Sequence, residues 1–184
     1  MQFQTTALGG VHLVHLERMR DSRGFFARTF CVEEFSAHGL ETHYPQHSVS
    51  FSARKGTLRG MHYQRPPHNE VKLVRCLGGA IWDVVIDIRP ESPTYRHWEG
   101  FELSDTNGRQ LYIPKGFAHG FQTLSDNVAV NYLISTPYVP EAACGIRYND
   151  SRLAIAWPLP VSEISEKDLR WSDFVGDPAF MPQG

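Results

Sequence analysis

An all-β fold, built as a sandwich or barrel of antiparallel strands, is what this sequence predicts. Two observations carry that expectation. Short apolar or alternating runs recur roughly every 8–12 residues, bounded by Gly- and Pro-containing turns, which is the spacing of sandwiches and barrels and not of a βαβ fold. Helical patterning is confined to two short stretches.

The elements follow in order. Val11 to Leu16 is the first predicted strand. Ser22-Arg23-Gly24 turns the chain, and an aromatic-rich strand leads out from Phe25 to Cys31. Val32 to Gly39 is a predicted short helix with a glycine near its C-terminal end. Ser48 to Ala53 alternates, and Arg54-Lys55-Gly56 turns it into Thr57 to Tyr63. Lys72 to Cys76 and Ala80 to Ile88 flank Leu77-Gly78-Gly79, a hairpin signal. Trp98 to Leu103, Leu111 to Ile113, Gly120 to Leu124 and Val128 to Ser135 continue the pattern, and Ser162 to Ser172 contains the other predicted helix. No repeat, low-complexity tract or linker divides the 184 residues, so residues 1–184 read as one domain with enough chain for a sizeable core. The closing segment, 170–184, is aromatic and then Pro-rich, and is left open between a cover for the barrel or an interface and a frayed end.

Composition narrows the function. The net charge is -2 and no basic run is present, which argues against a nucleic-acid polymer as partner. No apolar run is long enough to span a bilayer, so no membrane role is expected. The N-terminus lacks a basic segment followed by an apolar one, and three cysteines without a CxxC suit a reducing cytoplasm better than a disulfide framework. Cys31, Cys76 and Cys144 read as packing residues, none being flanked by the basic or helix-start setting of a nucleophile.

The most informative stretch is Gly108 to Thr123, GRQLYIPKGFAHGFQT. Pro114 fixes φ and Gly116 permits a tight bend, so the chain reverses and presents His119 at the mouth of a barrel. The spacing of Gly108, Pro114, Gly116 and His119 resembles the second sequence motif of the cupin barrel. A second cluster, Leu58-Arg59-Gly60-Met61-His62-Tyr63-Gln64, lies some 50 residues earlier. Two histidines from two strands of one barrel define a pocket. Lys72 shares a strand face with Val74 and Cys76, where it is costly if inward and unpaired, or else sits at a solvated strand end. Tyr132 shares a face with Val128 and Val130 and reads as core or as pocket. Asp168 falls in Ser165-Glu166-Lys167-Asp168, which also reads as a helix start.

Taken together and in order, these segments resemble the dTDP-4-dehydrorhamnose 3,5-epimerases over nearly the whole chain. Further matching pieces are Asp21-Ser22-Arg23-Gly24-Phe25-Phe26, Lys72-Leu73-Val74-Arg75-Cys76, Asp83 to Arg89, Glu91-Ser92-Pro93-Thr94, Asn149-Asp150 and Trp157-Pro158. The resemblance implies a cupin-type antiparallel β-barrel (a jelly roll) with a few short helices. It implies a homodimer acting on a nucleotide-linked 4-keto-6-deoxyhexose in sugar-precursor synthesis for surface polysaccharide such as O-antigen. The expected reaction converts dTDP-4-dehydro-6-deoxy-D-glucose to dTDP-4-dehydro-L-rhamnose, or inverts one carbon of a related sugar. The 4-keto group acidifies the C–H bonds at C3 and C5, and inversion needs a base on one face and an acid on the other. By resemblance His62 is the base, Asp168 holds its tautomer, Tyr132 returns the proton, and Lys72 stabilises the enolate oxygen. Arg23 and Arg59 would hold the diphosphate, and His119, Lys167, Arg28, His47 and Tyr138 are the further substrate-binding candidates. No metal or redox cofactor is implied. Arg28, His47-Ser48-Val49, Lys115 and the region of Cys144 depart from the usual family residues, so the catalytic set is intact while outer nucleotide contacts differ.

Two other readings compete. A metal-dependent cupin needs three or four converging N or O ligands. Only His62 and His119 are placed by motif; Gln64 follows His62, and His68 and Glu70 stand at a different spacing. A catalytically silent sugar-nucleotide-binding cupin would have no need of an acid and a base on opposite faces.

Overall fold

The computed structural model describes residues 1–176. Its elements in chain order are β1 (Gln2–Thr5), β2 (His12–His15), β3 (Met19–Asp21), β4 (Gly24–Phe26), α1 (Val32–Ala37), β5 (Gln46–Ser52), β6 (Thr57–Gln64), β7 (Lys72–Gly78), β8 (Ala80–Asp87), β9 (Trp98–Ser104), β10 (Arg109–Ile113), β11 (Phe117–Thr123), β12 (Val128–Ile134), β13 (Ala143–Gly145), β14 (Glu163–Ile164) and α2 (Glu166–Leu169). They form two six-stranded sheets and a small ribbon. The first sheet runs β1-β2-β10-β7-β12-β5; the second runs β13-β6-β11-β8-β9, with β14 beside β6. Every pairing is antiparallel except β14 with β6. This is the cupin-type jelly roll.

Period-2 alternation decides which side chains enter the space between the sheets. On β7, Val74 and Cys76 point inward and join Leu111, Ile113, Val128 and Val130 against Ile81, Val85, Phe117 and Phe121 of the other sheet. Leu73 points the other way, to a cluster with Val14, Tyr112 and Phe35. Phe35 is fully buried and pins α1 to the outside of the first sheet, a burial that contributes about 1.5–3 kcal/mol. The second sheet covers its outer face with Ile146, Leu153, Ile155 and Phe174, packed on Met61, Val84 and Ile86. The segment after α2 therefore covers the barrel as far as Phe174, while the rest of the expected closing segment, 177–184, lies outside the described residues.

Several sequence expectations need correction. Leu77-Gly78-Gly79 is not a hairpin: β7 and β8 enter different sheets, and the bend at Gly79 (φ 79°) is a corner between them. The same holds for β10 and β11 around Pro114 and Gly116. A side chain at Gly116 would stand 2.4 Å from the Arg89 Cγ, so the corner needs glycine for space as well as for its φ of 83°. The strand expected from Phe25 to Cys31 stops at Phe26, because β4 pairs only with β3 and has no further neighbour to extend along. The helix expected over 162–172 is the single turn α2, preceded by β14. The short strands β1, β3, β13 and β14 were not expected.

The β6–β11 pairing decides the geometry of the site. His119 faces His62, and Phe121 faces Arg59, so two steps on β11 match three on β6. The extra residue is a bulge, which reverses which face the following residues use. Strict alternation would send Arg59 and His62 to opposite faces; the bulge lets both line the same cavity.

Candidate active site

A cavity of about 660 Å³ opens between the sheets at the β5–β6 end of the barrel. His62, Lys72, Tyr132 and Asp168 all line it, together with Arg59, His119, Lys167 and Tyr138. Arg23, Arg28 and His47 do not. Arg23 sits on the turn between β3 and β4, almost fully exposed and paired with Asp21 at 2.6 Å. Arg28 reaches Glu34 at 3.4 Å. His47 lies on β5 but on the face opposite to Gln46, Ser48 and Ser50, which line the cavity.

His62 is delivered by β6 from the second sheet. Its Nε2 meets the Asp168 Oδ1 at 2.6 Å. A carboxylate can only accept, so the shared proton sits on Nε2 and the lone pair is left on Nδ1. The His62 side chain is 42% exposed, against 5% for Asp168, so the imidazole faces the cavity while its partner is enclosed. Asp168 is placed by α2, which β14 lays against β6. The Ser165 hydroxyl caps that turn by accepting the Asp168 N–H at 3.1 Å. Burial opposes ionisation of Asp168, but hydrogen bonds from His62, the Gly60 N–H (3.3 Å) and the Trp171 indole N–H (3.3 Å) outweigh it and hold the carboxyl below its usual range. Trp171 is itself fitted over Gly145, where a Cβ would fall 2.3 Å from the ring.

Tyr132 enters from β12 in the first sheet, so it faces the cavity from the side opposite to His62. Its hydroxyl is 3.0 Å from the Ser50 Oγ. Burial pushes the phenol far up, so it keeps its proton at neutral pH and can serve as a donor. Lys72, on the inward face of β7, is paired with Glu70 at 3.0 Å, which answers the cost of an inward ammonium. Arg59 reaches across to β5, donating from Nε to the Ser52 Oγ at 3.0 Å and from Nη2 to the Phe51 carbonyl at 2.8 Å.

His119 is not at the mouth of the barrel. It is 5% exposed, and its Nε2 bonds the buried Asp83 Oδ1 beneath the cavity. Gln64 is a staple: its amide donates to the His68 carbonyl at 2.9 Å and accepts the Val139 N–H at 2.7 Å, fixing two loops of the rim. Cys76 is buried with a thiol pushed up to about 11 by burial, as expected of a packing residue, whereas Cys144 lines the cavity. Among the described residues no group of three or more His, Cys, Asp or Glu side chains is placed to hold a metal ion.

Sequence reasoning passed over Glu70, Asp83, Ser50 and Trp171 as site residues. Glu70 was weighed only as a metal ligand; it lies just before β7, outside the strand, so alternation does not place it beside Lys72. Ser50 meets Tyr132 only through the β5–β12 register, and Trp171 only through the docking of α2, so neither leaves a local signal.

Comparison with known proteins shows the family. The family model described as dTDP-4-dehydrorhamnose 3,5-epimerase matches residues 5–175. The dTDP-4-dehydrorhamnose 3,5-epimerase of Methanothermobacter thermautotrophicus is 42% identical over 183 residues, covering 98% of each chain. The enzyme of the same name from Bacillus anthracis, solved with TDP and PPi bound, superposes with a TM-score of 0.92 at 37% identity over 94% of this chain and 99% of that one. A Legionella pneumophila dTDP-6-deoxy-D-glucose-3,5-epimerase, solved with dTDP-4-keto-L-rhamnose, gives a TM-score of 0.88 at 38% identity over 94% and 92% of the two chains. Fold and sequence agree along almost the full length, and the chain belongs to the dTDP-4-dehydrorhamnose 3,5-epimerase family.

Proposed function

We propose that this protein is a cofactor-independent isomerase that inverts C3 and C5 of dTDP-4-dehydro-6-deoxy-D-glucose to give dTDP-4-dehydro-L-rhamnose. The observation that carries this is the His62–Asp168 pair on one sheet facing Tyr132 on the other across a single cavity. His62 removes the proton beside the 4-keto group, and Asp168 holds its tautomer and balances the imidazolium that forms. Tyr132 returns a proton from the opposite face. Lys72 meets the negative charge that builds on the C4 oxygen. General acid–base groups contribute about 10²–10⁴-fold each, so charge stabilisation at that oxygen carries much of the remainder. Arg59 binds the diphosphate, and His119, Lys167 and Tyr138 shape the pocket around sugar and nucleotide. The TDP and keto-rhamnose bound by the two structural relatives support a dTDP-linked substrate.

The active form is a homodimer of single-domain chains. Met19, Phe25 and Phe26 on the ribbon and Val49 and Phe51 on the edge strand β5 are all exposed, apolar surface that a second copy would cover. Arg23, Arg28 and His47 lie outside this chain's cavity, so any part they take in binding is played at the site of a second copy. Light scattering on the purified protein reads the stoichiometry. No helix among the described residues is long and apolar enough to cross a membrane. We place the enzyme in the cytoplasm, making a rhamnose precursor for surface polysaccharide such as O-antigen.

The direct test is NMR in D₂O with dTDP-4-keto-6-deoxyglucose. Deuterium entering at both C3 and C5 with a rhamnose-type product supports the double epimerase. Deuterium at one carbon makes the enzyme a single-site epimerase, and no exchange refutes the reading.

A further inference from the structure

Glu70 lines the cavity with one carboxylate oxygen committed to an ion pair and the other buried and unmet. Its Oε1 is 3.0 Å from the Lys72 ammonium, and its own side chain is only 8% exposed. Its Oε2 is buried and has no hydrogen-bond partner among the described residues. Gln64, which also lines the cavity, has both ends of its amide bonded to loop backbone. Leaving a buried acceptor unmet costs about 1–3 kcal/mol, and more when it is charged, so folded proteins satisfy nearly all such atoms. An orphan carboxylate oxygen on a substrate cavity is therefore an acceptor for a donor carried by the ligand.

The chemistry of the substrate says which donor. On the proposed reading Lys72 meets the C4 oxygen, and Glu70 lines the same cavity and is bonded to Lys72, so its carboxylate stands nearest the substituents on either side of C4. C5 carries a methyl group and the ring oxygen, and neither donates. C3 carries a hydroxyl. We infer that Glu70 is a specificity residue whose Oε2 accepts the C3 hydroxyl of the keto sugar while its Oε1 holds the Lys72 ammonium at the C4 oxygen. A carboxylate suits this double task because both of its oxygens accept, whereas an amide offers only one acceptor. The inference rests on the proposed reaction and adds a requirement to it: the enzyme reads the substituent at C3 as well as its hydrogen.

The experiment compares two substrates and two proteins. The substrates are dTDP-4-keto-6-deoxyglucose and its 3-deoxy counterpart, which keeps the ketone and the C5 hydrogen. The readout is kcat/KM for deuterium exchange at C5, available with both. Wild-type enzyme is expected to prefer the 3-hydroxy substrate by roughly 10- to 100-fold, the worth of a hydrogen bond to a charged group. In Glu70→Ala that preference collapses toward unity, because the ratio of ratios cancels any general loss from a displaced Lys72. If Glu70→Ala does not fold, Glu70→Gln carries the same comparison and is expected to lose most of the preference. Equal losses on both substrates, with the preference intact, overturn the inference and leave Glu70 as a support for Lys72. No C5 exchange by the wild type with the 3-hydroxy substrate overturns the proposed function itself, a separate and recognisable result.

Discussion

Replacing Asp168 by asparagine removes one charge and one acceptor from a carboxylate that uses both oxygens. Oδ1 takes His62 and the Trp171 indole, and Oδ2 takes the Gly60 N–H. An asparagine with its oxygen toward His62 turns its NH₂ against the buried Gly60 N–H, two donors face to face. Rotated the other way, it donates to the His62 Nε2 and opposes the Trp171 N–H; the imidazole proton is then forced onto Nδ1, where the lone pair is needed. Either arrangement forfeits a hydrogen bond to a charged group, about 1.5–3 kcal/mol, and lengthens the route to the imidazolium. The rate of substrate deuteration should fall on the order of 10- to 150-fold at the conversion of 1.4 kcal/mol per decade. The assay is solvent exchange at C3 and C5 by NMR, with thermal melting and TDP binding measured alongside. TDP should still bind, since Arg59 is untouched. A folded Asp168→Asn protein that exchanges at the wild-type rate would refute the argument that this carboxylate sets the tautomer and stabilises the charged base.

Tyr132→Phe keeps the ring that packs in the cavity and removes the donor; exchange should persist in part while inverted product falls by about 10²–10⁴-fold, and full inversion would exclude Tyr132 as the acid. Asp87, Asp150 and Asp168 are each opposed by burial yet held below their usual range, by Arg89, Ser92 and Thr94, by backbone N–H groups, and by His62 respectively. A depressed carboxyl contributes stability that is present above its unfolded value of about 3.8–3.9 and is lost as pH falls through the folded value. The melting temperature should therefore drop as pH falls from about 4 downward, and a flat profile there would contradict the bonding described. Gly120→Ala would set a Cβ 2.7 Å from the Arg59 carbonyl and 2.9 Å from the Gly60 Cα, backbone that cannot yield. A loss of about 1–3 kcal/mol or more should lower the melting temperature by several degrees, and an unchanged melt would mean that β6 and β11 can separate locally.

The sequence by itself determined what local physics can decide. Strand period, the break in the chain at Pro114 and Gly116, and the shared face of Lys72, Val74 and Cys76 follow from alternation and backbone restriction within a few residues, although only the structure shows that break to be a corner between sheets. His62, Lys72, Tyr132 and Asp168 were legible as a set through the family resemblance, and they do line one cavity. Tertiary structure alone decided the rest. Glycine at Gly79 serves a hairpin and a corner equally, so only packing of the two sheets sends β7 and β8 apart. The faces of Arg59 and His62 depend on a bulge whose existence is a property of the β6–β11 register, not of β6. Asp168 reaches His62 across 106 residues of chain, and Glu70 becomes informative only when one of its oxygens is seen to be buried and unmet. Alternation and turn chemistry act between neighbours in sequence; a site is made by strands that sheet packing brings together, and the energy that selects those partners is spread over the whole core.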